Sequence, residues 1–364
     1  MLVGVLALAL ALSVAACGSS SSSSGSGSGG SSGGKYSVVL TNYLTTNAWR
    51  QQMQKTVEIG AEKEPFASKV ELSVHNSELS PQSQISTLNS IIAQKPDAII
   101  MEAASPSAIN PTIERACDAG IVVVTFDAPA SAACAFQLNP EFTKISETIG
   151  AWYGETIKHG TIAMDTGLAG SSEAIQIDEG FEKGLEKFPE VKIAAKFEGA
   201  FDPGKEQQAL ASVLAKEPNL ASAFTINAGY PVITAFQQAV GRMPVALSGT
   251  ANNKGSQECI KHASEGVNCL YFIASPGISL LALDTALEVL EEKKPNNGGP
   301  VLEGGPGGAF AANGTTEVPG FPEAQIEQMK EGKNVFPEFS PGMVVPITPP
   351  GSPVQVTASE VEGG

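Results

Sequence analysis

Short apolar runs alternate with helical segments along most of the chain, and this alternation limits the fold more than any other sequence feature. Residues 36–40 and 98–101 are apolar runs of strand length. Between them, Ser80 and Pro81 form an N-cap and first-turn pair, and Ile85 begins an apolar repeat at helical spacing. Strands that alternate with helices of about 10–15 residues form βαβ units with parallel sheets. The other predicted strands are residues 70–74, 121–126, 162–164, 191–197, 223–226, 245–247 and 270–273.

So many strands predict two sheets, and the length of the chain agrees. At 364 residues the chain predicts about two domains of ~150 residues. In α/β folds of this kind, ligands bind beyond the carboxyl ends of the strands. The residues that directly follow each strand are therefore the place to search for a site.

The charge balance excludes several classes of protein. Asp plus Glu number 38 against 22 Lys plus Arg, which gives a net charge of -16 at pH 7. An acidic surface repels phosphate backbones and argues against a nucleic-acid partner. At 42% hydrophobic residues the chain is too apolar to be disordered. Beyond residue 17, no apolar run approaches the ~20 residues that a membrane-spanning helix needs.

The amino-terminal end has the pattern of an export signal followed by a tether. Residues 2–16 are uncharged and apolar, which suits the apolar region of a signal peptide. Residues 14–17 read VAAC and resemble a bacterial lipoprotein box, which implies cleavage after residue 16 and a lipid on Cys17. No Lys or Arg precedes the apolar run, and the alternative is an ordinary signal peptide with a chance cysteine. After Cys17, residues 18–34 are Gly and Ser only. Residues 17–34 are therefore predicted to be a lipidated cysteine with a flexible tether.

Five cysteines agree with export. If a lipid occupies Cys17, four remain, an even number that suits an oxidising compartment. Four cysteines allow three pairings, and proximity in the sequence favours Cys117 with Cys134 and Cys259 with Cys269. A zinc site is the rival interpretation, but the C-x-x-C spacing is missing. The histidines are also scattered, at His75, His159 and His262.

The sequence motifs give no support to catalysis. Residues 199–205 nearly match a phosphate-binding P-loop, but Glu206 stands where the magnesium-binding Ser or Thr is required. There is no nucleophile elbow and no helical H-E-x-x-H motif. The separated histidines offer no general acid–base pair. We therefore predict that the protein is not an enzyme and holds no cofactor and no metal.

The composition changes again at Pro295. Eleven of the 24 prolines lie in the last 70 residues, a density that a compact βα unit does not tolerate. We expect an extended strap in which only residues 322–331, as a helix, and 343–347, as a strand, are regular. After about residue 350 the chain is expected to be loose.

Five segments in register resemble the type 1 periplasmic binding proteins, the ribose-binding-like solute receptors of ABC importers. The segments read KPDAII, AGIVVVTFD, GLAGSS with DEGF behind it, FD and AFTIN. The resemblance covers about residues 35–293. The five segments lie within residues 95–100, 119–127, 167–181, 201–202 and 223–227.

This resemblance implies an α/β fold with two interleaved Rossmann-like lobes, whose parallel sheets are joined by a three-segment hinge that closes on a ligand. It implies crossings near Asn139, near Ala274 and within 333–342. Lobe 1 would contain residues 35–139 and 275–335, lobe 2 would contain 140–274 and 336–350, and 351–364 would be a flexible tail.

The resemblance also implies where a ligand binds. The family packs aromatic faces on a sugar ring and bonds the hydroxyl groups with Asp, Asn and Arg. Trp49 and Phe201 would enclose a ring from opposite lobes, although lobe packing would explain both. Asp127 would accept hydroxyl hydrogen bonds, and Asn227 would bond from lobe 2 unless it only forms a turn. Asn47 lies on the same loop as Trp49.

The sequence departs from the family pattern at charged positions. Ala128 and Ile175 stand where ribose-binding-like members carry Arg, and Thr250 ends a segment that replaces a carboxylate. Arg50 stands where an aromatic residue is usual. We hypothesise that Arg50 faces the cleft and pairs with a carboxylate or phosphate of the ligand, or with Asp127. The alternative is a solvated Arg on the first turn of a helix.

Two serines complete the candidate site. Ser171 and Ser172 precede a helix start, where hydroxyl and N–H groups can hold an oxygen-rich ligand. Plain N-capping explains them equally well.

The resemblance leaves two main functions. The first is a membrane-tethered solute-binding protein, a monomer, that captures a small polar ligand such as a sugar and delivers it to an ABC permease. The alternative is a receptor subunit that presents its ligand to a membrane signalling protein, and a lipoprotein hydrolase is a weaker third possibility. The predicted location is the cell envelope, on the outer face of the cytoplasmic membrane or in the periplasm, held there by the lipid anchor.

Overall fold

A computed structural model describes residues 34–250, 252–293, 301–303, 307–311, 339–344, 347–349 and 351–363, and the chain from Lys35 onward forms one compact unit. The strands are β1 (Tyr36–Thr41), β2 (Val70–Val74), β3 (Ala98–Met101), β4 (Val122–Phe126), β5 (Phe136–Asn139), β6 (Gly160–Asp165), β7 (Val191–Phe197), β8 (Ser222–Phe224), β9 (Ala246–Thr250), β10 (Asn268–Ala274), β11 (Val301–Glu303) and β12 (Gly307–Ala311). The helices are α1 (Ala48–Ala61), α2 (Pro81–Gln94), α3 (Asn110–Asp118), α4 (Phe142–Ile157), α5 (Ser172–Leu185), α6 (Pro203–Leu214), α7 (Tyr230–Val240), α8 (Asn253–His262), α9 (Ile278–Leu290) and α10 (Ala358–Glu362). Cys17 and the predicted helix over 322–331 lie outside the described residues.

The first sheet is parallel throughout and forms the centre of lobe 1. Its strand order is β2-β1-β3-β4-β5-β11. Alternate side chains of β1 serve different faces: Val38 and Leu40 join the core beneath α1 and α9, whereas Val39 joins the core beneath α2 and α3. Because successive strand residues point to opposite faces, a sheet covered on both sides needs the nearly continuous apolar runs seen in the sequence.

Lobe 2 repeats this plan. Its parallel sheet β7-β6-β8 lies beside a second sheet, β9-β10-β12, in which β12 runs antiparallel to β10. Lobe 1 has the 2-1-3-4-5 strand order of doubly wound folds, with β11 added beside β5. In lobe 2 the contact of β8 with β9 places the two three-stranded sheets in the same order. This confirms the predicted α/β class with two Rossmann-like, parallel-sheet lobes.

Aromatic stacking and close helix contact hold the core of lobe 2. Phe181 of α5 stacks on Phe224 of β8, with ring centroids 3.8 Å apart. Tyr153 of α4 packs edge-on against both rings and donates its hydroxyl to the carbonyl of Ala223 at 3.0 Å. Gly180 lets α4 and α5 touch, because a Cβ atom there would collide with the carbonyl oxygen of Thr143.

The chain passes between the lobes after β5, which ends at Asn139, and after β10, which ends at Ala274. Residues 339–344 form a further connection. Asn253 of lobe 2 donates its N–H to the carbonyl of Met343 at 2.8 Å. From lobe 1, Gln52 donates to the carbonyl of Gly342 at 2.7 Å and accepts from the N–H of Val344 at 2.9 Å.

The carboxyl-terminal region differs from the predicted boundaries. Residues 275–335 were expected in lobe 1, but β12 pairs with β10 of lobe 2. Of the strand expected over 343–347, Val344 forms only an isolated antiparallel bridge with Asn252. Residues 345 and 346 are not among those described.

The expected loose tail is folded against lobe 1. Thr357 and Glu360 form a capping box that starts α10. Val354, Val356 and Val361 are buried in the core that α1 and α9 cover. The correction has a physical reason: three apolar side chains find cover on lobe 1, and their burial outweighs the proline-rich composition.

Both predicted disulfides form, which confirms the pairing inferred from proximity. Cys117 and Cys134 are joined with a Cα–Cα distance of 6.4 Å, and Cys259 and Cys269 with one of 6.3 Å. Both distances lie in the ordinary range for disulfides. Among the described residues, no helix has the length and apolar character needed to cross a membrane.

Candidate functional site

Residues that follow strands in both lobes meet in one buried cluster. In lobe 1, Tyr43 follows β1, Glu102 follows β3 and Asp127 follows β4. In lobe 2, Glu173 lies in the first turn of α5 and Phe201 follows β7. All five are buried, and Tyr43 shares an apolar cluster with Phe201 of the other lobe. The carboxyl edges of the two lobes are thus in contact, at the place where doubly wound folds bind ligands.

Arg50 lies at the centre of this contact. Asn47 is the N-cap of α1, and its Oδ1 accepts the backbone N–H of Arg50 at 2.8 Å, which fixes Arg50 in the first turn. The Nη2 atom of Arg50 donates to Glu173 Oε1 at 2.9 Å and to the hydroxyl oxygen of Tyr43 at 3.2 Å. Only 4% of Arg50 is exposed, so it is not the solvated surface Arg of the alternative interpretation.

Two further carboxylates reach the same nitrogen. Glu102 Oε1 lies 3.2 Å from Arg50 Nη2, and Asp127 Oδ2 lies 3.8 Å from it. We call Arg50, Glu102, Asp127 and Glu173 the Arg50 cluster. It places three acidic groups around one guanidinium, in a region from which water is largely excluded.

Burial changes the protonation of this cluster. Burial raises the pKa of Glu102 well above its ordinary range, although the charge of Arg50 lowers it. Burial also raises the pKa of Asp127 to about 6, again against the opposing charge of Arg50. Burial lowers the pKa of Arg50, but the negative charges around it, that of Glu102 first, raise the pKa by more. The guanidinium therefore remains charged.

Three aromatic rings surround the guanidinium. Its Cζ atom lies 5.3 Å from the ring centroid of Tyr43, 5.6 Å from that of Trp49 and 5.5 Å from that of Phe201. Trp49 is fixed by its Nε1–H, which donates to the carbonyl of Ala274 at 2.6 Å. Trp49 and Phe201, predicted to enclose a ligand ring from opposite lobes, here flank the side chain of Arg50.

Several buried polar atoms of the cluster have no hydrogen-bond partner. They are Nε of Arg50, both carboxylate oxygens of Glu102 and Oε2 of Glu173. Glu102 Oε1 is close enough to Arg50 for an ion pair but lacks hydrogen-bond geometry. Buried polar groups without partners are costly and uncommon, which marks this cluster as the candidate ligand site.

The backbone is strained at the same place. Asp127 has φ 56°, and Ala200 and Phe201 have φ 50° and 55°. Positive φ is uncommon outside glycine, and such residues concentrate at functional sites. Asp127 and Phe201 thus combine positive φ with a position in the contact between the lobes.

A second buried acidic group lies near Asn227. Glu206 accepts a hydrogen bond from Asn227 Nδ2 at 3.2 Å. Asp165 accepts the backbone N–H groups of Gly167 at 2.9 Å and Gly199 at 2.7 Å. We call Asp165 and Glu206 the Glu206 pair. Burial, then the charge of Asp165, raises the pKa of Glu206 to about 8, and burial raises the pKa of Asp165 to about 6.

The remaining predicted residues have different surroundings. Ser171 precedes α5 but makes no capping hydrogen bond, since its hydroxyl donates to the carbonyl of Leu168 at 3.0 Å. Ser172 is buried, and its Oγ has no partner. Thr250 donates to the carbonyl of Ile226 at 3.2 Å and so braces the loop that carries Asn227.

Sequence reasoning missed Tyr43, Glu102, Glu173 and Glu206. The position of Glu102 directly after β3 was a usable signal. Glu173 lies in a first helical turn, where an acid is common because it favours the helix dipole, so its position alone does not mark a site. Within the described part of the chain, no group of three or more His, Cys, Asp or Glu side chains could hold a metal ion.

Two parallel-sheet lobes that meet around a buried polar and aromatic cluster define a two-lobed binding protein. A family model described as a periplasmic binding protein domain matches residues 38–294. The chain belongs to this family, which confirms its resemblance to the type 1 periplasmic binding proteins.

Solved structures share the fold. An ABC transporter solute binding protein from Thermobispora bispora is 29% identical, with a TM-score of 0.64 over 71% of this chain and 81% of that one. The fructose-binding periplasmic domain of a hybrid two-component system is 17% identical, with a TM-score of 0.68 over 82% and 95%. A Mycobacterium smegmatis protein in complex with β-D-fucofuranose is 20% identical, with a TM-score of 0.67 over 82% and 96%. No curated protein sequence matches the chain.

Proposed function

We propose that the protein is a membrane-tethered solute-binding protein that captures a sugar or sugar-like ligand between its lobes and delivers it to an ABC importer. The observation that carries this proposal is the Arg50 cluster together with the aromatic rings beside it. The rings come from both lobes, and they adjoin buried polar atoms that have no hydrogen-bond partner. Ring faces pack on the C–H faces of sugars, and charged groups bond their hydroxyls. The fructose and β-D-fucofuranose named for two structural relatives support this ligand class.

The geometry suggests a role for each residue of the site. Trp49 and Phe201 would pack against the ligand, and Arg50 and Asp127 would bond its hydroxyl groups. Asn227 would contribute from lobe 2. Three further residues would support or extend the site: Asn47 by capping α1, Thr250 by bracing a loop, and Ser172 through its buried hydroxyl. Closure would occur by hinge motion about the connections between the lobes.

A thermal-shift series with neutral sugars tests the binding function. A ligand present at 100 times its Kd stabilises the protein by about 2.7 kcal/mol. We expect Phe201→Ala to weaken binding of the best sugar at least about tenfold, since a buried aromatic contact is lost. Trp152→Ala, in α4 of lobe 2 and outside the site, is the control and should leave the Kd unchanged. A Phe201→Ala protein that binds as tightly as the wild type contradicts the proposed site.

Binding without turnover is part of the proposal. The ligand should be recovered chemically unchanged after long incubation with the protein. Conversion of the ligand would instead support the lipoprotein hydrolase.

Export and anchoring are proposed from residues 1–34. The apolar run, the VAAC segment and the Gly and Ser tether support a lipidated Cys17. Expression in a bacterial host should place the wild-type protein in the detergent phase of membrane extracts. Cys17→Ser should move it to the aqueous phase, and Ser20→Ala, in the tether, should not. A wild-type protein found wholly in the aqueous phase contradicts the anchor.

The second candidate function is a receptor subunit for a membrane signalling protein. The specific observation in its favour is the relative that is the periplasmic domain of a hybrid two-component system. Both functions need a ligand to favour one conformation that a partner reads. Ligand-dependent stimulation of ATP hydrolysis by a reconstituted permease supports import, and ligand-dependent kinase autophosphorylation supports signalling.

A further inference from the structure

The charges of the Arg50 cluster do not balance. Glu102 and Asp127 of lobe 1 and Glu173 of lobe 2 all lie within 3.8 Å of one nitrogen of Arg50. Each acid is almost fully buried. Three carboxyl groups thus face a single cation. Burying a charge that is not compensated is expensive, and without a further cation this cost favours the protonated form of Glu102.

The buried atoms of the Arg50 cluster that lack a hydrogen-bond partner show the same excess of acidic groups. Two of them are oxygens of Glu102, one is an oxygen of Glu173, and one is a donor, Nε of Arg50. In its protonated form Glu102 can donate to Asp127, and this hydrogen bond raises the pKa of Glu102 and lowers that of Asp127. An ammonium group has three donors and no acceptor, so it can pair with Glu173 and with Glu102 once Glu102 has released its proton. A neutral hydroxyl donates one hydrogen bond and leaves the charge uncompensated.

The surrounding rings also suit a cation. Tyr43, Trp49 and Phe201 already present their rings to the guanidinium of Arg50 at 5.3–5.6 Å. Ring faces attract a cation more strongly where water is excluded. An anionic ligand, by contrast, would bring a further negative charge toward three acids, which argues against the carboxylate or phosphate ligand that Arg50 alone suggested.

We propose that the ligand of this cleft carries a cationic nitrogen, as an amino sugar or another hydroxylated amine does, and that this nitrogen pairs with Glu102 and Glu173. This inference rests on the proposed binding function and names the ligand class more closely. Because Glu102 belongs to lobe 1 and Glu173 to lobe 2, a cation between them favours the closed state. The hydroxyl groups of the same ligand can accept from Nε of Arg50 and donate to Asp127.

The charge of Glu102 supplies an independent signature. Burial raises the pKa of this acid, which favours its protonated form when no ligand cation is near. The charged and titratable groups around it are Arg50, Tyr43, Asp127 and Glu173. An arriving ammonium favours the ionised acid, and the proton of Glu102 passes to the buffer.

Matched ligands test the inference with the full-length protein at pH 7. The probes are galactose, galactosamine and N-acetylgalactosamine, with the glucose and mannose series beside them, titrated by calorimetry. We expect an amino sugar to bind at least about tenfold more tightly than both its neutral parent and its uncharged N-acetyl derivative. Titration in two buffers of different ionisation enthalpy should show proton release with the amino sugar only.

Variants locate the effect. Glu173→Gln should reduce the preference for the amino sugar at least about threefold, and Glu102→Gln should abolish the proton release. Glu179→Gln, an exposed position on the same helix as Glu173, is the matched control and should change neither. A neutral sugar that binds as tightly as its amino counterpart overturns the inference and leaves the proposed function standing. If no member of any series binds, the proposed sugar-binding function fails and the inference with it.

Discussion

The Arg50 cluster and the Glu206 pair bury acidic groups in two different ways. In the Arg50 cluster, a guanidinium shared between the lobes balances part of the charge. The Glu206 pair lies within lobe 2 and is held by hydrogen bonds from Gly167, Gly199 and Asn227. The first arrangement depends on keeping its cation, and the second depends on keeping its protons. The two should therefore fail under different changes.

Removing the cation should have the largest effect. Arg50→Met keeps much of the side-chain length but leaves Glu102, Asp127 and Glu173 without their shared cation. Breaking a buried ion pair from one side costs about 3–5 kcal/mol. Since the proposed hinge motion would let water reach the acids, we expect the lower end of that range, about 3 kcal/mol, in the free energy of unfolding by urea.

Arg115→Met is the control for this change. Arg115 is exposed on α3, and its replacement should alter the unfolding free energy by less than about 0.5 kcal/mol. The double variant Arg50→Met with Glu173→Gln should recover part of the loss, since one of the stranded charges is removed. An Arg50→Met protein whose unfolding free energy lies within about 1 kcal/mol of the wild type contradicts the cluster as a source of stability.

A pH change should act on the Glu206 pair. The pKa of Glu206 is raised from 4.5 to about 8 in the folded protein, so folding favours the protonated acid. The stability from that proton is complete below pH 4.5 and is lost as the pH rises through about 8. Between pH 6 and pH 8 this amounts to about 2 kcal/mol.

Glu206→Gln isolates this contribution. The wild-type protein should lose about 2 kcal/mol more unfolding free energy than Glu206→Gln between pH 6 and pH 8. Glu179→Gln, an exposed acid of lobe 2, should follow the wild type. Identical pH profiles for the wild type and Glu206→Gln would show that Glu206 is not the titrating group.

A smaller effect, on ligand affinity, is expected when the hydroxyl group of Tyr43 beside the Arg50 cluster is removed. Tyr43 accepts from Arg50 at 3.2 Å and donates to Glu173 of the other lobe at 2.9 Å. Tyr43→Phe removes both bonds and should weaken ligand binding about fivefold, which corresponds to ~1 kcal/mol. Tyr36→Phe is the control, because its hydroxyl reaches only the carbonyl of Leu290 at 3.4 Å within lobe 1. Equal ligand affinities in the two variants would show that the hydroxyl group of Tyr43 does not contribute to ligand binding.

The sequence predicted the sheets better than the carboxyl-terminal region, and the cause is physical. Apolar strand runs and helical spacing are local signals, and they specify the parallel sheets that carry the site. The antiparallel pairing of β12 and the burial of Val354, Val356 and Val361 depend on surfaces that only the folded lobes provide. The capping box at Thr357 and Glu360 was the one local signal of α10.

The candidate site also has a part that the sequence predicts and a part that depends on the folded lobes. The resemblance to the family selects Asp127, Phe201 and Asn227, which follow strands, and the structure buries the first two beside Arg50. Glu102 also follows a strand and was overlooked. The partnership of Arg50 with Glu173 joins residues 123 positions apart, and no spacing in the sequence indicates it. Charge balance therefore becomes visible only when the two lobes are placed together.

The smallest effect should come from Glu102→Gln, and it decides how much charge the Arg50 cluster holds. Burial raises the pKa of Glu102 well above its ordinary range, so a neutral amide of the same shape should alter the unfolding free energy at pH 7 by less than about 0.5 kcal/mol. Glu173→Gln leaves a neutral amide oxygen in place of the charged acceptor of the 2.9 Å hydrogen bond from Arg50 and should cost about 1–2 kcal/mol. Urea unfolding of both variants makes the comparison. Equal losses would mean that Glu102 is ionised beside Arg50, that the cluster carries all three negative charges, and that a ligand cation has more charge to compensate.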